Sequence, residues 1–249
     1  MKSDEFRRMW DEMQRDGYFT NHPHYTDFHG HSPSKEDLEL DNAVIALDFE
    51  TQNVSMPVPY SDTLERSIKR TESLWLYKMF DLPRTGTALD IGCGFGRSVN
   101  WMANNYDKVI GTDISEHVIA AAIKNCEHLN NIALYVNGPD SLPADILPAS
   151  VDVAYIFTVF QHIPREYTQN ILRSVERVLK PGGKVVFNLL SNINEELNEG
   201  EQHTEWAIGY SDDQARNLLR DSALREERLV HWSRPETAIS WLWVSGIKQ

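Results

Sequence analysis

The sequence predicts an α/β protein with a doubly wound, Rossmann-like sheet that ends in an antiparallel hairpin. Five runs rich in β-branched and apolar residues, most of them separated by helical segments, follow one another from residue 84 onward: TALDI, KVIGTD, NIALYV, VDVAYIFT and KVVFNLL. A strand, helix, strand rhythm of this kind builds a parallel sheet covered on both faces. A chain of 249 residues is long enough to bury one such core.

The region before the first strand predicts an N-terminal extension. A short amphipathic helix has four large apolar residues on one side, Phe6, Met9, Trp10 and Met13. A polar, proline-containing stretch without periodicity follows it. We therefore expect residues 1–60 to form an extension or lid and residues 61–249 to form the main domain. Within that domain, apolar spacing predicts a helix from Leu64 to Phe80, which ends before Pro83.

The C-terminal part departs from the strand and helix alternation. A polar segment at 191–210 follows the fifth strand and is a possible insertion on the substrate side. A helix is predicted near 211–223, followed by the strand-like runs REERLVHWSR and TAISWLWVSGIK. The short linker between these two runs predicts an antiparallel hairpin.

Composition restricts the partners and the compartment. The chain has 24 Lys and Arg against 37 Asp and Glu, a formal charge of -13, which disfavours nucleic-acid binding. Its two cysteines, Cys93 and Cys126, form no CxxC pair and no disulfide framework, as expected in a reducing compartment. No apolar run approaches the roughly 20 residues of a membrane-spanning helix. We expect a cytoplasmic protein without membrane partners, and its oligomeric state stays open.

The stretch ALDIGCGFGRS places Gly92, Gly94 and Gly96 between a strand and a helix. Such a turn lets the backbone approach a nucleotide-shaped ligand over the helix N-terminus. A dinucleotide fingerprint would need another glycine where Arg97 stands. Asp90 would repel a pyrophosphate but suits a ligand that carries an ammonium and a sulfonium. A cationic nucleoside is favoured, and a nicotinamide-dependent oxidoreductase is the alternative.

The second strand ends in VIGTDIS, and Asp113 lies 21 positions after Gly92. That separation is expected when the next parallel strand delivers a carboxylate to the ribose hydroxyls. Both nucleotide-binding alternatives use this device, so Asp113 supports a nucleoside ligand without choosing between them.

Along most of residues 84–249 the chain resembles the class I S-adenosylmethionine-dependent methyltransferases. The resemblance rests on the segments LDIGCGFGRS, VIGTDIS, VDVAYIFTVFQHIP and VLKPGGKVVF and on the terminal hairpin. It implies a seven-stranded sheet with the last strand inserted antiparallel, and the cofactor lying across the carboxyl ends of the first, second and fourth strands. In VLKPGGKVVF, we expect Pro181 to end the helix and Gly182 and Gly183 to reverse the chain.

The resemblance also implies roles for single residues. Asp90, Gly92 and Gly94 face the methionine portion and ribose, and Asp113 binds the ribose hydroxyls. Ile114 packs on adenine, and the Phe157 carbonyl accepts from the methionine amino group. The adenine edge is assigned to Asn137 and Gly138, with Asp140 as the alternative. The full set of implied cofactor-binding residues is Asp90, Gly92, Cys93, Gly94, Asp113, Ile114, Asn137, Gly138 and Phe157.

Methyl transfer is an in-line displacement, so the protein mainly aligns the reactants in a dry pocket. An amine acceptor needs only to be deprotonated and aligned, whereas a hydroxyl acceptor needs a base. His162 is the candidate base, and its alternative role is packing beside the cofactor. The segment NHPHYTDFHGH holds a histidine cluster that could ligate a metal, but its spacing favours a loop without metal: His22, His24, His29 and His31.

These observations predict a methyltransferase that acts on a polar small molecule, such as a sugar or tailored metabolite, at oxygen or nitrogen. The extension and the 191–210 segment supply aromatic and polar residues suited to such an acceptor: Trp10, Tyr18, Phe19, His203, Glu205, Trp206 and Tyr210. A non-catalytic cofactor-binding partner of another enzyme is the alternative outside the enzyme classes.

Overall fold

The computed structural model describes residues 3–16, 53–55, 80–103, 105–191, 208–233 and 240–249. These residues form five α-helices, a 3₁₀-helix at Phe160–His162 and eight strands. The helices are α1 Ser3–Arg15, α2 Arg97–Met102, α3 Glu116–Asn125, α4 Arg165–Val178 and α5 Asp212–Arg220. The strands are β1 Asn53–Ser55, β2 Thr87–Ile91, β3 Lys108–Asp113, β4 Ile132–Val136, β5 Val151–Ile156, β6 Leu179–Ser191, β7 Leu224–Ser233 and β8 Ser240–Lys248.

The strands form one sheet in the order β1-β7-β8-β6-β5-β2-β3-β4. Strands β2 to β6 are parallel, and β8 lies antiparallel between β6 and β7. The predicted doubly wound sheet and its antiparallel terminal hairpin are confirmed. One strand was not predicted: β1 pairs in parallel with β7 at the sheet edge, and three residues are too few to show a periodic pattern.

The central strands are buried because helices cover both faces of the sheet. Strand β5 is apolar at nearly every position, as parallel strands buried on both faces are. One core cluster joins this strand to α1, α4 and α5, and a second core cluster joins the opposite face to α2 and α3. The carboxyl ends of β2 to β5 lie at one edge of the sheet, between the helices that cover its two faces.

The turn between α4 and β6 begins earlier than predicted. Helix α4 ends at Val178, and Leu179 already pairs with Val151 of β5, so Pro181 follows the helix end and does not cause it. The pairing then shifts before Lys184. Gly182 has a φ of 77°, which L-residues other than glycine rarely adopt, and it lies where the pairing of β6 with β5 shifts.

The C-terminal elements agree with the sequence. Ser211 and Gln214 form a capping box at the start of α5, and β7 pairs with β8 from Leu224 to Ser233. Tyr210 is buried, and its hydroxyl lies 3.2 Å from that of Thr168, so this aromatic residue packs within the core. Four parts of the predicted chain lie outside the described residues: positions 192–207 of the possible insertion, the histidine cluster, Tyr18 with Phe19, and most of the predicted 64–80 helix.

Helix α1 has the predicted apolar face. Phe6 and Trp10 are buried in the first core cluster, and Met9 packs against its edge. The Phe6 ring meets the ring of Tyr167 on α4 edge to face, with centroids 5.7 Å apart. Among the helices of the described part of the chain, none is both long and apolar enough to cross a membrane.

Candidate functional site

A cavity opens at the carboxyl ends of β2, β3, β4 and β5. Its empty volume is about 870 Å³, including space open to solvent at the mouth. Six residues that the sequence assigned to a cofactor line this cavity together with His162: Gly92, Gly94, Asp113, Ile114, Asn137 and Phe157. Residues from four separate strand ends thus converge on one space.

Two glycines after β2 are required for different reasons. Gly92 has a φ of 76°, and a Cβ there would collide with the Val159 side chain of the turn after β5. Gly94 has a φ of 54°, and a Cβ there would meet nothing within 4 Å. The amides of Gly92 and Cys93 both donate to the Thr112 carbonyl, at 2.8 and 2.9 Å, which fixes the turn against β3. The turn therefore offers open space at Gly94.

Asp113 lies at the end of β3 with its carboxylate at the cavity wall. One oxygen accepts from the Gly94 amide at 3.1 Å and the other from the Ser115 amide at 3.0 Å. Burial raises the pKa of this carboxyl, although the backbone hydrogen bonds oppose that change. A carboxylate can accept more hydrogen bonds than these, so it can also receive a ligand hydroxyl.

Asn137 ends β4, and it is 6 % exposed. Its amide donates to the Asp113 carbonyl at 2.9 Å, which extends the pairing of β3 and β4 by one residue. Within the described part of the chain, its side-chain oxygen Oδ1 has no hydrogen-bond partner. Asp140, the alternative for this role, does not line the cavity, and its carboxylate accepts from Asn170 of α4 at 3.2 Å.

Three of the residues assigned to the cofactor do not line the cavity. The Asp90 carboxylate is 3 % exposed and accepts from the Ser98 hydroxyl in the first turn of α2. Cys93 is buried behind the glycine turn, where burial, followed by the charges of Asp113 and Asp90, raises the pKa of its thiol well above the ordinary value. The Gly138 amide donates to the Ser141 carbonyl at 3.0 Å, and the next residue, Pro139, reaches the cavity instead.

The segment after β5 has an unusual backbone. Thr158 has a φ of 55°, which is an outlier for a β-branched residue and typically costs about 1–3 kcal/mol. Its amide donates to Oδ1 of buried Asn188 on β6 at 2.7 Å, which holds this conformation. Its hydroxyl donates to the Phe157 carbonyl at 2.7 Å, leaving that carbonyl one further lone pair. Nothing in the sequence pattern indicated Thr158 or Asn188.

His162 ends the 3₁₀-helix after β5 and is half-buried at the cavity wall. The ring of Trp10 on α1 meets the His162 ring edge to face, with centroids 5.7 Å apart. The N-terminal helix thus lies next to the candidate base.

Helix α1 contributes Phe6, Trp10 and Gln14 to the cavity wall. Asp11 holds this helix on α3, because its carboxylate accepts from the Ser115 hydroxyl at 2.6 Å and the His117 amide at 3.1 Å. Burial opposes ionisation of Asp11, but these hydrogen bonds and the Arg15 charge outweigh it and lower its pKa. Sequence periodicity predicted the apolar residues of this face, but not the polar contacts.

Comparison with known proteins agrees with this architecture. A protein-family model described as a methyltransferase domain matches residues 88–183, from β2 to the turn within β6. A ubiquinone biosynthesis O-methyltransferase of Methylococcus capsulatus is 28 % identical over 104 residues, which cover 42 % of this chain and 43 % of that protein. The match thus spans less than half the length of this curated relative.

Two solved structures are similar in fold. An S-adenosylmethionine-dependent methyltransferase from Mesorhizobium loti has a TM-score of 0.57 and 24 % identity, covering 70 % of this chain and 97 % of that one. The 1,6-didemethyltoxoflavin-N1-methyltransferase of Burkholderia thailandensis has a TM-score of 0.63 and 12 % identity, covering 100 % and 91 %. Residues 88–183 thus match a methyltransferase domain, and the fold of the chain is similar to that of S-adenosylmethionine-dependent methyltransferases.

Proposed function

We propose that this protein transfers a methyl group from S-adenosylmethionine to a polar small molecule bound in the cavity beside His162. One observation carries the proposal: Gly92, Gly94, Asp113, Ile114, Asn137 and Phe157 line a single cavity that His162 also lines. Their roles in the proposal are those that the family resemblance implies.

The donors and acceptors of the cavity wall suit this cofactor. The unpartnered Oδ1 of Asn137 can accept from the adenine amino group, and the side chain of Ile114 can pack on the adenine ring. The Asp113 carboxylate can accept from the ribose hydroxyls. The open space at Gly94 admits the methionine portion, whose amino group can donate to the free lone pair of the Phe157 carbonyl.

The remaining wall suits displacement chemistry. When bound, the cofactor supplies a methyl group on a sulfonium, which a nucleophile attacks in line. Apolar side chains of Phe6, Trp10, Ile163 and Ile171 line the cavity and reduce the polar surface around a ligand, which favours such a reaction. His162 lines the same cavity, and in this proposal it takes a proton from a hydroxyl acceptor, whereas an amine acceptor would need only alignment.

A polar small molecule is the acceptor class that we propose, with a sugar or a tailored metabolite as examples. Helix α1 covers part of the cavity through Phe6, Trp10 and Gln14, which favours a small acceptor over a polymer. The formal charge of -13 also disfavours nucleic acid. The relative from Methylococcus capsulatus is an O-methyltransferase and the Burkholderia thailandensis structure is an N-methyltransferase, so we keep both oxygen and nitrogen as target atoms.

The experiment has a binding arm and a transfer arm. Calorimetry should show that S-adenosylhomocysteine binds and NAD does not. The protein is then incubated with methyl-labelled S-adenosylmethionine and fractionated cell extract, and mass spectrometry should identify a small molecule that gains the label. Tight NAD binding without S-adenosylhomocysteine binding would refute the assignment, and binding without any labelled product would indicate the non-catalytic alternative.

A further inference from the structure

Gln14 is a polar side chain buried in a mainly apolar wall. It is 7 % exposed, lines the cavity, and comes from the last turn of α1. Within the residues that the structure describes, its buried side-chain oxygen Oε1 accepts no hydrogen bond. Buried carbonyl groups are normally paired, and leaving one unpaired destabilises the protein. A ligand in the cavity could supply the missing donor.

The contacts of α1 show where Gln14 lies relative to the strand ends. Arg7 donates to the carbonyl of Asn137, at the end of β4, at 2.9 Å. Four residues later, Asp11 accepts from Ser115, which follows β3. One helical turn advances about 5.4 Å, which is close to the spacing of roughly 4.8 Å between neighbouring strands. Helix α1 therefore moves from one strand end to the next with each turn.

The strand after β3 in the sheet is β2, which ends at the glycine turn. Gln14 lies three residues beyond Asp11, so its side chain is carried toward Gly92 and Gly94, which line the same cavity. In the cofactor orientation proposed above, the ribose and the methionine portion lie at this turn. Both bear donors, the ribose hydroxyls and the α-ammonium, whereas the adenine amino group lies at Asn137.

We propose that Gln14 accepts a hydrogen bond from a ribose hydroxyl or the α-ammonium of the bound cofactor, so that α1 forms part of the cofactor site. This inference rests on the proposed function, because it takes the cofactor and its orientation from it. Gln14 lies outside the region 88–183 that matches the methyltransferase domain, so the inference extends the proposed cofactor contacts beyond that region.

The test measures the affinity of the full chain for S-adenosylhomocysteine by calorimetry. Gln14→Met keeps the length of the side chain but removes the acceptor, so Kd should rise about 3- to 10-fold. Gln14→Glu keeps an acceptor and should bind S-adenosylhomocysteine at least as tightly as Gln14→Met does. Glu12→Gln is the control, because Glu12 is exposed on the same helix, and its Kd should equal that of the wild type.

A second probe separates the two donor sources. 5′-Methylthioadenosine keeps the ribose and lacks the amino acid portion. If the ribose is the donor, Gln14→Met should weaken the binding of this probe as much as it weakens the binding of S-adenosylhomocysteine. If the α-ammonium is the donor, Gln14→Met should weaken the binding of S-adenosylhomocysteine and leave the binding of 5′-methylthioadenosine unchanged.

Thermal unfolding distinguishes ligand binding from a packing role. Removing an unpaired buried carbonyl should leave the ligand-free Tm of Gln14→Met equal to or above that of the wild type, while the increase in Tm on adding S-adenosylhomocysteine shrinks. A lower ligand-free Tm together with weaker binding would indicate packing and overturn the inference. An unchanged Kd in Gln14→Met would overturn it and leave the proposed function intact. Failure of the wild type to bind S-adenosylhomocysteine would overturn both.

Discussion

Substitution of Asp11 by alanine should weaken the docking of α1 over the cavity while the main domain stays folded. The carboxylate accepts from the Ser115 hydroxyl at 2.6 Å and from the His117 amide at 3.1 Å, and its side chain is 15 % exposed. Hydrogen bonds to a charged group contribute about 1.5–3 kcal/mol, and water can replace part of the loss at a partly exposed site. Ser115 still caps α3, since its hydroxyl accepts from the Val118 amide at 3.3 Å.

We therefore expect Asp11→Ala to weaken docking of α1 by about 2 kcal/mol, which lowers the ratio of docked to undocked helix roughly 30-fold. Limited trypsin digestion measures this ratio, because cleavage after exposed Arg8 requires the helix to open. Asp16→Ala is the control, since Asp16 is exposed at the end of the same helix. Cleavage of Asp11→Ala at the wild-type rate, with unchanged affinity for S-adenosylhomocysteine, would refute the docking role.

The same contact gives a pH dependence. The pKa of Asp11 in the folded protein lies below the ordinary value of 3.8, so its contribution is complete above that value and is lost as the pH falls below it. Protection of α1 from proteolysis should be constant from pH 8 to about pH 5 and should decline only at more acidic pH. An acid-tolerant protease is used below pH 5, and Asp11→Ala should lack this decline.

Three further substitutions test the candidate site. Asp113→Ala should raise the Kd of S-adenosylhomocysteine at least about tenfold, because a hydrogen bond to a charged group is lost, and calorimetry showing wild-type affinity would contradict the ribose assignment. His162→Gln should lower kcat about 100- to 10,000-fold with nearly unchanged cofactor affinity if the acceptor is a hydroxyl, whereas a small effect would indicate an amine acceptor or a packing role. Gly92→Ala should lower the Tm more than Gly94→Ala, because both positions have positive φ but only the first would collide with Val159, and equal thermal shifts would refute that reasoning.

The sheet could be predicted from the sequence because most of its strands are each indicated by a few neighbouring residues. Each central strand is a continuous apolar run, and the glycine turn and Asp113 follow the ends of two of them. Parallel strands place their carboxyl ends at one edge, so the motif residues had to converge. The short strand β1 carried no such local signal, and its pairing with His231 to Ser233 depends on the completed sheet.

The polar contacts around the site could not be predicted in this way. Arg7 and Asn137 are 130 positions apart in sequence, and Asp11 and Ser115 are 104 positions apart. No periodicity reports which polar groups meet over such distances. The position of Asp90 outside the cavity lining has a related reason, because the short helix α2 brings Ser98 back onto its carboxylate; the assignment of Asp90 to the cofactor stays a prediction.

The long sequence separation of the α1 contacts has a consequence for folding. During synthesis, the residues of α1 leave the ribosome well before Ser115 and Asn137, to which they bind. A 13-residue helix is only marginally stable alone in water, so α1 gains its stability when the sheet behind it exists. The candidate cavity is therefore closed by a segment that is made before the strands it covers, so its strand ends are open to small molecules until α1 docks on them.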